Sequence, residues 1–162
     1  MNACTRARKC LLVPYKETSK DQSGDMRSIE GCCPGQTKHH MIPGAYFNNR
    51  IDRSGCNRYN HSKAPTVCAE GTSHSQGSHG AMHTFTNKYS KKNVDNSDNT
   101  ISYEKARDAS IKAHIDTFPF GFCSPDCLRA QLDDYFKGPS KCLDSTKLKF
   151  VKIGADNDEV AF

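Results

Sequence analysis

Gln36-Thr37-Lys38-His39-His40-Met41-Ile42-Pro43 is the stretch that decides how this chain is read. Thr37 and Ile42 flank a histidine pair and Pro43 ends the run, which reads as a short strand entering a loop. Neighbouring side chains on a strand point to opposite faces. At a strand end, one histidine can therefore face a metal while the next faces a substrate. Downstream, Gly77-Ser78-His79-Gly80-Ala81-Met82-His83 spaces two histidines i, i+4, with Ser78 as the expected N-cap. A helix presents such a pair on one face, about one turn apart, a common way to hold a divalent transition metal. Gly80 stands where H-E-x-x-H needs glutamate, which disfavours a zincin-type protease. Between the two segments, Ala64–Cys68 is the expected second strand.

Working outward, the chain has 162 residues, enough for one domain. Val, Ile, Leu and Phe supply about 16% of it, below the usual floor of roughly 20% for globular domains. The net charge of +5 is too small for wholesale disorder. A thin core needs help, and nine Cys and seven His point to bound metal, cross-links or both. The basic balance mildly favours a polyanionic partner, with plain solubility as its bland reading. No apolar stretch approaches the roughly 18 residues that span a bilayer. The N-terminus has only Leu11, Leu12 and Val13 as an apolar patch, too short for a secretory signal. The expectation is a protein that stays where it is made, leaves without a cleaved signal, or is carried on something larger.

The cysteines fall into an N-terminal pair (Cys4, Cys10), a central group (Cys32, Cys33, Cys56, Cys68) and a C-terminal group (Cys123, Cys127, Cys142). None forms a C-x-x-C knuckle, so a four-cysteine zinc ribbon is disfavoured. Disulfides, another metal site and buried thiols all remain open. Leu11–Tyr15 is the one plausible strand in the first thirty residues. Residues 88–100 read as a linker or exposed loop. A helix is expected from Ser102 to about Asp116. A clearer one starts after Ser124, with Pro125 at its first position and Gly138-Pro139 as its stop. Leu148 and Phe150 suggest a closing strand, and residues 155–162 a loose tail.

The order is thus histidine-pair strand, long loop, strand, and helix with two histidines, the layout of a ββα-metal finger. CCPGQTKHHMIP, then CNRYNHSKAPTVCAEG, then GSHGAMH resembles the HNH/endonuclease VII superfamily, and more closely the GHH-type nuclease toxins of bacterial polymorphic toxin systems. The resemblance covers about residues 31–90. One departure stands out: Lys38 precedes the histidine pair where the family name implies Gly.

That resemblance implies an α+β fold: a ββα-metal (His-Me finger, HNH-like) core over 31–90 with additional helices, and residues 101–162 as support or partner-binding region of one domain, 1–162. It implies that His39, His79 and His83 bind one divalent metal (Mg, Mn, Zn or Ni) and that His40 is the general base. It also implies a central Asn that braces the loop under the base. Asn60 is the candidate, with Asn57 as substitute; either also reads as an ordinary turn residue. Near the site, Lys38, Arg58 and Lys63, with Arg50 and Arg53, are candidate contacts to the DNA backbone, whose neutralisation gives sequence-independent affinity. Their bland reading is an exposed loop face. Cys32, Cys33, Cys56 and Cys68 would staple the finger, or remain reduced thiols. His74 reads as solvated and His114 as structural.

The implied activity is metal-dependent hydrolysis of DNA in a competitor bacterium, leaving a 5′-phosphate and a 3′-hydroxyl. The implied partners are DNA, an acidic immunity protein and a carrier domain of a type VI secretion effector, with no membrane. The protein would leave without a cleaved signal and act in the target-cell cytoplasm. A metal- or cysteine-stapled binding domain without catalysis, and an RNase on the same scaffold, are the alternatives.

Overall fold

The computed structural model describes residues 8–15, 32, 36–48, 55–71 and 75–154. Cys4, Cys33, Arg50, Arg53, His74 and the tail at 155–162 lie outside the described residues. Among the described residues, no helix is long and apolar enough to cross a membrane.

The fold is α+β. The histidine-pair stretch forms strand β2, Gln36–His40. It pairs antiparallel with β3, Pro65–Glu70, with His39 opposite Val67 and His40 opposite Thr66. On the other edge of β3 lies β1, Val13–Pro14, also antiparallel, giving the order β1-β3-β2. Pro14 has no N–H to donate and so suits this edge position. A four-residue helix, α1 (Ala45–Asn48), follows β2 and was not signalled by the sequence. A 3-10 turn, His61–Lys63, leads into β3.

Helix α2, Gly77–Lys91, carries His79 and His83 and packs on the β2–β3 pair and on α3. Its N-cap is Gln76, which makes no side-chain cap bond, rather than Ser78. The Ser78 hydroxyl instead accepts from the Glu70 amide (2.7 Å) and donates to the Glu70 carboxylate. The sharp passage from β3 into α2 needs Gly77, whose φ of +58° is left-handed and where a Cβ would collide with the Glu70 carbonyl. The polar stretch expected as a loop from residue 88 begins helical, because α2 runs on to Lys91 and buries Thr86 and Ser90 on its inner side. The loop proper is held by Asp95 and Asp98, which accept from the amides of Ser97 and Thr100.

Strand β4 (Thr100–Ser102) then pairs with β5 (Lys147–Lys149) in a separate two-stranded sheet. Helix α3 (Tyr103–Thr117) is capped by Ser102, and α4 (Pro125–Lys137) by Ser124, each accepting from the third residue beyond. The core is continuous: Met41, Tyr46, Phe47 and Val67 pack in one cluster with Met82, Ile101, Leu132, Phe136 and Leu148. Few aliphatics are needed because aromatics fill it. Phe47 stacks on Tyr59 at 4.3 Å and on Phe136 at 5.1 Å.

Among the described residues, three disulfides add what the thin core lacks. Cys32–Cys68 ties the approach to β2 onto β3, Cys56–Cys142 ties the long loop to the segment after α4, and Cys10–Cys123 ties the N-terminal turn to the start of α4. With sequence separations of 36, 86 and 113, each is worth on the order of 4 kcal/mol in the chain-entropy account. Cys127 is free and exposed.

Candidate metal centre and general base

Strand parity sorts the residues of β2. Thr37 and His39 share one face, Lys38 and His40 the other. The face of His39 looks onto α2, where His79 and His83 sit one turn apart. The three rings converge, with centroids 4.8 Å (His39–His79), 4.4 Å (His39–His83) and 5.0 Å (His79–His83) apart. One ligand nitrogen from each lies within 4.8 Å of the others, and all three residues are buried.

The tautomer of His79 follows from its hydrogen bonds. The Thr37 hydroxyl contacts both the Gly71 carbonyl (3.0 Å) and His79 Nδ1 (2.7 Å). A carbonyl can only accept, so the hydroxyl donates to Gly71 and Nδ1–H donates to the hydroxyl. That leaves Nε2 with its lone pair, the form a metal requires. Three imidazoles converging from strand and helix are a donor set that fits one divalent transition ion and leaves coordination positions for substrate.

His40 is built differently. Its Nε2–H donates to the His61 carbonyl at 3.1 Å, so the lone pair is on Nδ1. Burial, then the imidazole of His61, with smaller pushes from Lys38 and His79, lowers its pKa to about 4 against the opposing backbone hydrogen bond. The ring is therefore neutral at physiological pH and able to take a proton. Tyr15 stacks on it at 4.5 Å with planes 23° apart, and the His61 ring lies 4.2 Å away.

Asn60, the residue expected to brace the loop, lies at the start of the His61–Lys63 turn. Its Oδ1 accepts from the Ser62 amide (3.0 Å) and caps the turn that begins with His61, whose carbonyl holds His40. The Tyr135 hydroxyl donates to the Asn60 carbonyl (2.7 Å) and accepts from its amide (3.1 Å). Asn57 is an exposed turn residue of the same loop. Arg58 and Lys63 are exposed on this loop, whereas Lys38 is half-buried and donates to the carbonyls of Pro14 (2.9 Å) and Tyr15 (2.6 Å). Of the cysteines expected to staple the finger, Cys32 and Cys68 are joined to each other, and Cys56 is joined to Cys142. His114 is fully buried away from the centre, with Nε2–H on the Lys9 carbonyl (2.8 Å).

Two contributors escaped the sequence reading. Thr37 could have been found, because it lies two residues before His39 on the same strand face. Tyr15 could not, because only the pairing of β1 with β3 brings it in.

At the foot of α2, Lys9 is fully buried, donating to the Glu70 carboxylate (2.6 Å) and the Cys68 carbonyl (2.6 Å). Burial works against the charge on Glu70, but hydrogen bonds from Lys9, Ser78 and Gln36 outweigh it and bring its pKa down to about 2. The strand end that launches α2 is thus fixed by charge as well as by packing.

Comparison with known proteins places the chain in a family. The family described as GHH signature containing HNH/Endo VII superfamily nuclease toxin 2 matches residues 36–136. The DNase toxin Tse7 of Pseudomonas aeruginosa is 34% identical over 151 residues, which cover 83% of this chain and 36% of that toxin. The chain thus spans about a third of the length of the curated relative it matches. No solved structure gives a significant match. With more than half of its length matched, a stretch that includes His39, His40, His79 and His83, the chain belongs to the GHH-signature nuclease toxins of the HNH/Endo VII superfamily.

Proposed function

We propose that this chain is a metal-dependent DNA endonuclease that acts as an antibacterial toxin. The observation that carries the reading is the division of labour among four imidazoles. Three converge from β2 and α2 on one point, and the fourth, His40, is turned to the opposite face with a lone pair at Nδ1. His39, His79 and His83 would hold the ion, which when bound would offset charge on the scissile phosphate and the leaving 3′ oxygen. His40 Nδ1 takes a proton from the attacking water. The His61 carbonyl keeps the other ring proton in place, and Asn60 keeps that carbonyl in place through the turn it caps. Arg58 and Lys63 offer cationic contacts to the DNA backbone.

On this reading β2, β3 and α2 form a ββα-metal finger over about residues 31–90, with α2 running one residue further to Lys91, and the elements from 101 onward support it inside a single domain. Mg, Mn, Zn and Ni are the candidate ions; three imidazoles suit Zn or Ni best. DNA is the substrate, as for the DNase toxin that the chain resembles, and type VI delivery into a target cytoplasm fits that toxin class. The basic surplus favours an acidic immunity partner.

The test is nicking of supercoiled plasmid with a panel of metals, beside a purified RNA substrate. Cutting of DNA that stops with EDTA is expected. His40→Ala should lose cutting by at least about 100-fold while still binding metal, whereas His79→Ala and His83→Ala should weaken metal binding itself. RNA cut in preference to DNA would replace the substrate. Tight metal binding with neither nucleic acid cut would make the chain a stapled binding domain.

A further inference from the structure

Lys38 occupies the position that a GHH signature gives to glycine. The converging ligand nitrogens do not use it. Its face of β2 is that of His40, and its ammonium reaches away from the metal centre to the carbonyls of Pro14 and Tyr15. The same Nζ lies 5.7 Å from the centre of the Tyr15 ring. A second hold comes from the backbone, where the Tyr15 amide donates to the Ala64 carbonyl at 3.1 Å. A third comes from β3, where the Thr66 hydroxyl donates to the Val13 carbonyl at 2.7 Å. Residues 13–15 lie outside the matched stretch 36–136, yet they are strapped across the sheet beside its histidine pair.

The strap ends on the base. Tyr15 stacks on the His40 ring at 4.5 Å and meets the His61 ring edge-on at 5.0 Å. One hydrogen bond at Nε2 fixes which nitrogen of His40 is basic, but leaves the ring free to tilt about that bond. A flat face at stacking distance removes the tilt. Proton abstraction depends on such alignment, and misplacement of about 1 Å can cost on the order of 100-fold in rate.

We propose that Lys38 and Tyr15 form a latch that positions the general base: Lys38 fastens the end of β1, and the Tyr15 ring sets the plane of His40. Both are positioning residues that act through His40, so the inference rests on His40 being the base. It also gives Lys38 a role other than phosphate contact, since two of its three donors are already engaged on carbonyls.

The experiment is steady-state plasmid cleavage by the full chain, with metal affinity, DNA binding and melting temperature measured on each variant. Tyr15→Ala should lower kcat about 10- to 100-fold with KM and metal affinity unchanged, while Tyr15→Phe, which keeps the flat face, should stay near wild type. Lys38→Met should lose kcat similarly. The double variant should be no worse than the poorer single one, because the two residues act in series. If Tyr15→Ala melts below the assay temperature, Tyr15→Leu replaces it, keeping bulk without a plane, and the same loss in kcat is expected.

Full kcat in Tyr15→Ala or Tyr15→Leu overturns the latch, as do losses that multiply in the double variant. A raised KM with intact kcat in Lys38→Met would return that lysine to the DNA backbone and overturn it too. His40→Ala separates the two levels. If it still cuts, the base assignment itself fails; if it is inert while Tyr15→Ala is fully active, only the latch fails.

Discussion

Thr37 does its work through one hydroxyl. By donating to Gly71 and accepting from His79 Nδ1, it chooses the tautomer of His79 and leaves Nε2 with its lone pair. Outer groups of this kind typically contribute 10- to 100-fold to metal affinity. Thr37→Val, similar in shape but unable to hydrogen-bond, should weaken metal binding by about that factor, while Thr37→Ser should stay near wild type; competition with a chromogenic chelator reads both. His114 is a residue of the opposite kind, buried and neutral with no part in the centre. Burial, aided by Lys9, lowers its pKa to about 4 from 6.5, against the hydrogen bond to the Lys9 carbonyl. Since the unfolded chain binds the proton more readily, His114 contributes its full stability above about pH 6.5. That contribution falls away as pH drops through 4, to an extent of about 3 kcal/mol. Denaturant titrations of wild type and His114→Gln between pH 7 and 4 should show a shallower acid loss in the variant.

At the scale of elements, α3 and α4 start where their serines cap them, and α4 stops at Gly138, so these two helices were legible from local chemistry alone. Ser124→Ala should cost about 1 kcal/mol in thermal or chemical unfolding and leave plasmid cutting unchanged. β2 and β3 were legible too, to within two residues, because the histidine pair and Pro43 bracket one and β-branched residues mark the other. Helix α2 was misjudged at both ends for physical reasons. Ser78, a good cap by type, is drawn away by Glu70, eight residues earlier in sequence. The polar residues near 88 look like loop until Thr86 and Ser90 are seen buried. The histidine pair at 39–40 and the i, i+4 histidines at 79 and 83 stood out by spacing, and the structure brings His39, His79 and His83 together. The carbonyl of His61 and the ring of Tyr15 could not, since each depends on a non-local pairing that leaves no periodic trace.

For the whole molecule, the histidine-bearing stretch and the later elements pack on each other. The strands and helix that carry the histidines share one core with Leu132, Phe136 and Leu148, and three bridges bind the early, middle and late parts of the polypeptide together. Arg107 extends the same principle in polar form, gripping Asp133 of α4 with both carboxylate oxygens near 3 Å. The low count of aliphatic residues, which pointed to help from metal or cross-links, is met by aromatic stacking and disulfides at once. Which cysteines would pair was beyond reach, because partners 36 to 113 residues apart are chosen by the finished topology.

Those separations bear on how the polypeptide must be made. In the order of synthesis Cys10 and Cys32 appear long before Cys123 and Cys68, so these two bridges close only after their distant partners have been made. Recovery of all three described bridges is therefore expected to be higher when the reduced chain is refolded in a glutathione redox buffer than when it is oxidised abruptly, as counted by free thiols and peptide mapping.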